Sequence, residues 1–167
     1  GWSLGSVIVS HYAGLFPDRV ERLVLLAPVG GIPPNKPPTT ALLHVPFGIG
    51  AALAGVFVPP ALKKLYVEEL AGLHDDGRMQ RFLIDHVSNN HAISRTIVST
   101  LAHCPELDDN CAALRALGEQ RRPTMVMWGS ADGTTTRENI DKIMEMLPHA
   151  KLEVRGVHVY VYLYVSL

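Results

Sequence analysis

The first thirty residues combine a helical pattern of apolar positions with a short, continuous apolar run. From Ser3 to Phe16 the apolar side chains recur at roughly helical spacing, which predicts a helix that ends before Pro17. The run RLVLLAP, from Arg22 to Pro28, is almost purely apolar. Such a run is typical of a strand that is buried on both faces of a parallel sheet. The chain therefore opens with a helix followed by a predicted buried strand.

The middle of the chain is helical in pattern and contains no convincing strand. Gly30 to Thr40 holds four prolines, which forbid regular structure and predict a loop. Further helices are predicted at Leu62 to Leu73, Arg78 to Val87, Ala92 to Ala102 and Leu107 to Leu117. We expect residues 32–121 to form a helical cap, inserted between two core segments at 1–31 and 122–167.

Strand patterns return after residue 122. Pro123 to Trp128 is apolar and is followed by a turn that contains Asp132. A helix comes next, and Thr135 and Glu138 have capping-box spacing at its start. Lys151 to Val154 is the last predicted strand. Because strands alternate with helices, we expect an α/β fold built on a parallel sheet.

Composition and charge narrow the classes of function. The chain has 167 residues, of which 47% are hydrophobic and 19% charged, as is typical of a globular domain. A net charge of -1 gives no indication of a nucleic-acid partner. The histidines and the two cysteines have no zinc-ligand spacing, so no metal and no organic cofactor is expected. Cys104 and Cys111 would lie roughly 10 Å apart on one helix, too far for a disulfide. This favours a reducing, cytoplasmic location.

The first five residues, Gly1-Trp2-Ser3-Leu4-Gly5, form the pattern G-x-S-x-G. A nucleophilic serine in this pattern sits on a strained strand-to-helix turn, and the flanking glycines let strand and helix approach closely. The N-terminus of the following helix then points at the serine, so that the backbone N–H of Leu4 can stabilise a developing oxyanion. The alternative for Ser3 is a plain helix N-cap. The helix and apolar strand that follow favour the nucleophile.

Residues 1–31 resemble the nucleophile turn, helix and next strand of α/β-hydrolase-fold proteins. Pro17, Arg19, Val20, Leu23, Val24 and Leu25 match the family's P-x-R-V-x-x-L-V-L segment in order. Met125 to Asp132 resembles its strand with W-G and a later aspartate, and the helical insertion is similar in place to its cap. Two features depart from the family pattern: Ser6 stands where a second glycine is common, and the chain starts at the turn. The resemblance places the preceding strands and the second oxyanion donor upstream of Gly1.

The resemblance also implies an acid and a histidine that arrive later in the chain. Asp132 follows a predicted strand at its carboxyl end, which makes it the expected triad acid, with a plain turn aspartate as the alternative. His158 lies just past the last predicted strand and is the expected general base. His149 is the competing candidate, but it precedes that strand and so falls at the opposite edge of the sheet. The residue before His158 is Val157, where the family usually has glycine.

The segment from Val45 to Leu62 carries no charge and contains three prolines and three glycines. It predicts an apolar lid or buried segment, with weak membrane-surface contact or a spanning helix as alternatives. Its apolar side chains favour an apolar acyl or alkyl group in the substrate.

We therefore expect a serine hydrolase that acts on a small-molecule carboxylic ester, in the manner of an esterase or lipase. Three alternatives stay open at this point. The chain could be an inactive hydrolase remnant, or it could be a binding module. It could also catalyse another reaction that this fold supports, such as thioester hydrolysis, C–C bond hydrolysis or haloperoxidase-type chemistry. The oligomeric state is not indicated.

Overall fold

The computed structural model describes residues 1–30, 49–69, 77–90, 92–93, 96, 99–100 and 110–156. The chain folds into two compact units. Unit 1 comprises residues 1–34 and 106–167, and unit 2 comprises residues 35–105. Unit 1 thus includes residues 32–34 and 106–121, which the prediction places in the cap of residues 32–121. The assignment of a core and a functional cap stays a prediction.

Unit 1 is built on a parallel sheet of three strands. These are β1 (Leu23–Leu26), β2 (Thr124–Gly129) and β3 (Lys151–Arg155), in the spatial order β1-β2-β3. Leu23 pairs with Thr124, and Met125 pairs with Lys151. The predicted parallel α/β sheet is confirmed, and the carboxyl ends of all three strands lie at one edge of it.

Three α-helices accompany this sheet: α1 (Leu4–Leu15), α4 (Cys111–Glu119) and α5 (Arg137–Met146), with a short 3-10 helix at Pro17–Arg19 after α1. Their apolar residues pack with alternate residues of β1 and β2 in one core. Its buried members are Ala13, Leu23, Leu25, Leu114, Leu117, Val126, Trp128, Ile140, Ile143 and Leu147. Burying these side chains is the main favourable contribution to the stability of unit 1.

The expectation that β1 is buried on both faces is wrong for the described residues. Leu23 and Leu25 are buried on the helix-covered face, whereas Val24 between them is 44% exposed. Successive side chains of a strand point to opposite faces. The core therefore covers one face of β1 and leaves Val24 on the other face accessible.

The start of α5 also differs from the prediction. The N-cap is Thr136, whose hydroxyl accepts a hydrogen bond of 3.3 Å from the N–H of Asn139. The predicted capping box of Thr135 and Glu138 is therefore wrong by one residue. Thr135 is instead buried beneath the turn that precedes the helix, where its groups bond to other parts of unit 1.

The described part of unit 2 is helical. α2 (Ile49–Glu69) is longer than the predicted helix from Leu62, and Pro59 and Pro60 lie inside it. A proline removes one backbone donor but does not prevent a helix from continuing when the remaining bonds form. α3 (Arg78–Asn89) confirms the third predicted helix within two residues and packs against α2. None of the helices in the described ranges combines the length and the apolar character that a membrane-spanning segment needs.

Candidate active site

Ser3 occupies a sharp turn between an extended segment and α1. Its φ of 47° and ψ of -122° are those of the second residue of a type II′ turn, a conformation that favours glycine. The N–H of Gly5 donates to the carbonyl oxygen of Trp2 at 2.7 Å and closes this turn. We call residues Trp2–Gly5 the Ser3 turn. Holding a serine at these angles costs about 1–3 kcal/mol, which is typical of a functional site.

The segment that enters the Ser3 turn runs parallel to β1 and pairs with it. The N–H of Leu26 donates to the carbonyl oxygen of Gly1 at 2.8 Å. The N–H of Ser3 donates to the carbonyl oxygen of Leu26 at 2.9 Å. These bonds place Ser3 at the carboxyl edge of the sheet, directly beside the end of β1. Active sites of open α/β sheets lie at this edge.

The two glycines of the motif differ in what surrounds them. A Cβ added to Gly1 would lie 2.5 Å from the carbonyl oxygen of Gly5 and 2.5 Å from Cγ2 of Val9. Gly1 is therefore needed for the close approach of the extended segment and α1. Apart from its chain neighbours and the local backbone of α1, a Cβ added to Gly5 would meet no described atom within 4 Å. The expectation that close packing also requires Gly5 is thus not met among the described residues.

Leu4 is the first residue of α1, and the first four N–H groups of a helix have no partner within it. Its N–H follows Ser3 directly, at the helix end whose dipole favours negative charge. This placement is compatible with an oxyanion donor, a role that stays a prediction for Leu4.

Ser6 is a contributor that the sequence did not reveal beyond its small size. Its side chain is fully buried, and Oγ lies 2.5 Å from the carbonyl oxygen of Ser3. The same Oγ accepts a bond of 3.2 Å from the N–H of Val29, which follows β1. Asn110, at the start of α4, donates from Nδ2 to the carbonyl oxygen of Val29 at 3.3 Å. Ser6, Val29 and Asn110 thus join three chain segments beside the Ser3 turn.

Asp132 lies in the turn after β2, at the same edge of the sheet as Ser3. Its Oδ1 accepts hydrogen bonds from the N–H groups of Thr134 at 2.9 Å and Thr135 at 2.8 Å. Its own N–H donates to the carbonyl oxygen of Gly129 at 3.0 Å. Within the described part of the chain, these bonds to the carboxylate use Oδ1 alone. The role of Asp132 as the triad acid stays a prediction.

Thr135 connects the Asp132 turn to the segment beside Ser3. Its hydroxyl lies 3.4 Å from the carbonyl oxygen of Ala27, the residue after β1, and its own carbonyl accepts the indole N–H of Trp128 at 2.8 Å. Ala27 has a φ of 40° and its N–H donates to Met127 at 2.8 Å. These contacts hold the loops that follow β1 and β2 together. No local sequence signal identifies them, because Thr135 and Ala27 are far apart in the chain.

His149 lies at the opposite edge of the sheet. Its Nε2 is 2.6 Å from the carbonyl oxygen of Arg122, and a carbonyl can only accept, so Nε2 carries the proton. Arg122 and His149 precede β2 and β3, and β2 alone separates the two edges by roughly 17 Å at about 3.3 Å per residue. This position agrees with the expected place of His149 at the edge of the sheet opposite to Ser3, and its exclusion as the base stays a prediction. His158 lies outside the described residues, so its role stays a prediction.

The apolar segment Val45 to Leu62 is described only from residue 49, where it forms the first part of α2. Val56 and Phe57 are exposed there, and Val58 is buried. Weak membrane-surface contact through this segment stays a prediction. In the described residues, no group of three or more His, Cys, Asp or Glu side chains could hold a metal ion.

Comparison with known proteins identifies the family to which this arrangement belongs. The sequence profile described as "alpha/beta hydrolase fold" matches residues 1–158. The chain belongs to the alpha/beta hydrolase fold family. The resemblance of the Ser3 turn, α1 and β1 to this family is thereby confirmed. No curated protein matches the chain in sequence.

Solved structures of other alpha/beta hydrolases have the same fold. A hydrolase from Oleispira antarctica aligns with a TM-score of 0.69 at 14% identity, over 100% of this chain and 60% of that one. The enol-lactonase from Burkholderia xenovorans LB400 aligns with a TM-score of 0.65 at 14% identity, over 99% and 60% of the two chains.

A structure from work on carboxylesterases of Nitrososphaera gargenis aligns with a TM-score of 0.64 at 18% identity, over 99% and 58%. At these identities the likeness establishes the fold. The chain spans about three fifths of the length of these relatives.

Proposed function

We propose that this alpha/beta hydrolase chain contributes the catalytic triad of a serine hydrolase that cleaves carboxylic esters by acyl transfer. The observation that supports this most strongly is the backbone of Ser3, held at φ 47° and ψ -122° between a β1-paired segment and the N-terminus of α1. A plain helix N-cap adopts extended angles and accepts a bond from the helix. Ser3 has neither feature, because its φ of 47° is not extended and its side chain makes no capping bond.

In the proposed reaction, His158 takes the hydroxyl proton of Ser3 as Oγ attacks the carbonyl carbon of the ester. The Leu4 N–H stabilises the oxyanion of the tetrahedral intermediate, and Asp132 stabilises the imidazolium of His158. The intermediate collapses, the ester C–O bond breaks, and the alcohol leaves with the proton from His158. Water, deprotonated by His158, then attacks the acyl-Ser3 and releases the carboxylic acid.

The position of Asp132 supports its part in this reaction. It shares the carboxyl edge of the sheet with Ser3, and the contact between Thr135 and Ala27 joins the loops on which the two residues lie. With Oδ1 engaged by two N–H groups of its own turn, the carboxylate is held in one orientation. An oriented acid is what an imidazole needs to present its other nitrogen to the serine.

The proposed substrate carries an apolar acyl or alkyl group. This choice is supported by the uncharged segment Val45 to Leu62, in which Val56 and Phe57 of α2 expose apolar side chains. Cleavage rates on a series of p-nitrophenyl esters should rise from acetyl to longer acyl chains. A preference for acetyl, or for charged esters, would contradict the apolar substrate and leave the acyl-transfer chemistry intact.

A fluorophosphonate probe tests the nucleophile. It should label this chain, expressed with any further sequence that its gene encodes, and mass spectrometry of the digest should locate the adduct on Ser3. Ser3→Ala should abolish labelling. Ser10→Ala is a control from the adjoining helix, where Ser10 is a buried serine of α1. It should label as the parent does. A folded parent protein that stays unlabelled would contradict the proposal and favour an inactive remnant or binding module.

A further inference from the structure

Ser6 contacts the peptide group that would hold the oxyanion. Both its backbone N–H, at 2.9 Å, and its Oγ, at 2.5 Å, approach the carbonyl oxygen of Ser3. That carbonyl belongs to the peptide unit whose N–H is the Leu4 N–H. Because a peptide unit is planar and trans, fixing the carbonyl also fixes the direction of the N–H on its other side.

The contacts of the Ser6 hydroxyl determine the direction of its proton. The N–H of Val29 can only donate, so Ser6 Oγ is the acceptor in the 3.2 Å contact with Val29. The Ser3 carbonyl can only accept, so Ser6 donates its single hydrogen there. The distance of 2.5 Å is at the short end of the range for an O–H···O bond.

We propose that Ser6 is a positioning residue that aims and strengthens the Leu4 N–H as the oxyanion donor. A hydrogen bond donated to an amide carbonyl polarises the amide and makes its N–H a better donor. Among the described residues, the Ser3 carbonyl receives two such bonds, both from Ser6. The inference rests on the proposed serine hydrolase function, since it assigns Ser6 a role in that same site.

Ordinary helix back-bonding accounts for the bond from Ser6 Oγ to the Ser3 carbonyl, but not for the bond from Val29 to Ser6 Oγ. A serine near a helix start often donates to a carbonyl three residues earlier. The bond from Val29 comes from 23 residues away and fixes the hydroxyl from outside the helix. Asn110 in turn binds the carbonyl oxygen of Val29 at 3.3 Å. The hydroxyl of Ser6 is therefore held in one rotamer with its proton directed at the Ser3 peptide.

The test compares Ser6→Ala with Ser10→Ala in the parent protein. Both remove a fully buried hydroxyl from α1, but Ser10 Oγ has no hydrogen-bond partner among the described residues. Loss of a whole oxyanion donor costs about 10²–10³ in kcat, so weakening one should cost about tenfold. We expect this loss in Ser6→Ala, with KM unchanged and active sites counted by fluorophosphonate titration. Ser10→Ala should keep the parent kcat.

Two spectroscopic measurements separate this role from a structural one. The infrared carbonyl stretch of a ¹³C-labelled acyl-Ser3 should move to higher wavenumber in Ser6→Ala, because the oxyanion donor polarises it less. In the free protein, the Leu4 amide proton should move upfield by more than that of Gly5, whose N–H is bonded to Trp2. The second measurement needs no activity, so it tests Ser6 even when the parent protein fails to label.

Each outcome decides the question. Lower thermal stability with an unchanged kcat and carbonyl stretch would overturn the inference and leave Ser6 a structural residue. An unlabelled parent protein would overturn the proposed function, and an unmoved Leu4 amide proton would then overturn the polarisation as well. Where Ser6→Ala does not fold, Ser6→Cys retains the size and a weak donor, and it should give values between the parent protein and a full loss.

Discussion

Oδ1 of Asp132 accepts the backbone N–H of Thr135 at 2.8 Å, and the hydroxyl of Thr135 contacts Ala27, which follows the neighbouring strand. The proposed triad acid is thus built into a hydrogen-bonded turn whose far end touches the loop beside Ser3. Asp132 therefore has a structural role that is separate from its proposed catalytic one, and suitable substitutions can distinguish the two.

Asp132→Asn should keep the turn, because the side-chain amide oxygen can still accept the two hydrogen bonds that the N–H groups of Thr134 and Thr135 donate to Oδ1. The free energy of unfolding should change by less than about 1 kcal/mol. The kcat should nevertheless fall by about 10⁴, since the imidazolium loses its negative partner. Asp132→Ala should lose the same activity and should also lower the free energy of unfolding by about 1–2 kcal/mol, as measured by urea denaturation. Equal stability of the two variants would contradict the structural role of Asp132 in the turn. An Asp132→Asn variant that keeps its activity would contradict the role of Asp132 as the triad acid.

Ser3→Gly should be more stable than Ser3→Ala by about 1 kcal/mol. Glycine adopts a φ of 47° without a Cβ penalty, whereas alanine retains the strain of the native serine. Neither variant has a hydroxyl, so neither should react with a fluorophosphonate. Thermal melts of the pair, followed by circular dichroism, provide the comparison. An alanine variant as stable as the glycine variant would show that the Ser3 turn is not strained.

Gly118→Ala should destabilise unit 1 by about 3 kcal/mol. A Cβ at this position of α4 would overlap the carbonyl oxygen of Met146, at the end of α5. Gly14→Ala, near the end of α1, is the matched control. Apart from its chain neighbours and the local helix backbone, a Cβ there meets no described atom within 4 Å. That change should raise the free energy of unfolding by up to about 1 kcal/mol. Chemical denaturation of both variants measures the difference in the free energy of unfolding. A Gly118→Ala variant as stable as the parent protein would contradict the prediction.

Local sequence patterns account for the type and order of most of the elements that the structure describes. The helical spacing after Ser3, the apolar run that contains Leu23 and the strand that begins at Thr124 are local patterns, and each lies within a few residues of the element found. The motif at Gly1–Gly5 was likewise recognisable, because its spacing reflects one tight turn. The boundaries of α2 were less predictable, since Pro59 and Pro60 usually interrupt a helix.

The identity of the side chains around the Ser3 turn depends on contacts between distant parts of the chain. Val29 and Ser6 are 23 residues apart, Asn110 and Val29 are 81 apart, and Thr135 and Ala27 are 108 apart. Hydrogen bonds between such distant residues depend on how the sheet and helices pack, and no local periodicity encodes them. The same packing leaves Val24 exposed on one face of β1 and makes Thr136 the cap of α5, because burial draws Thr135 into the interior.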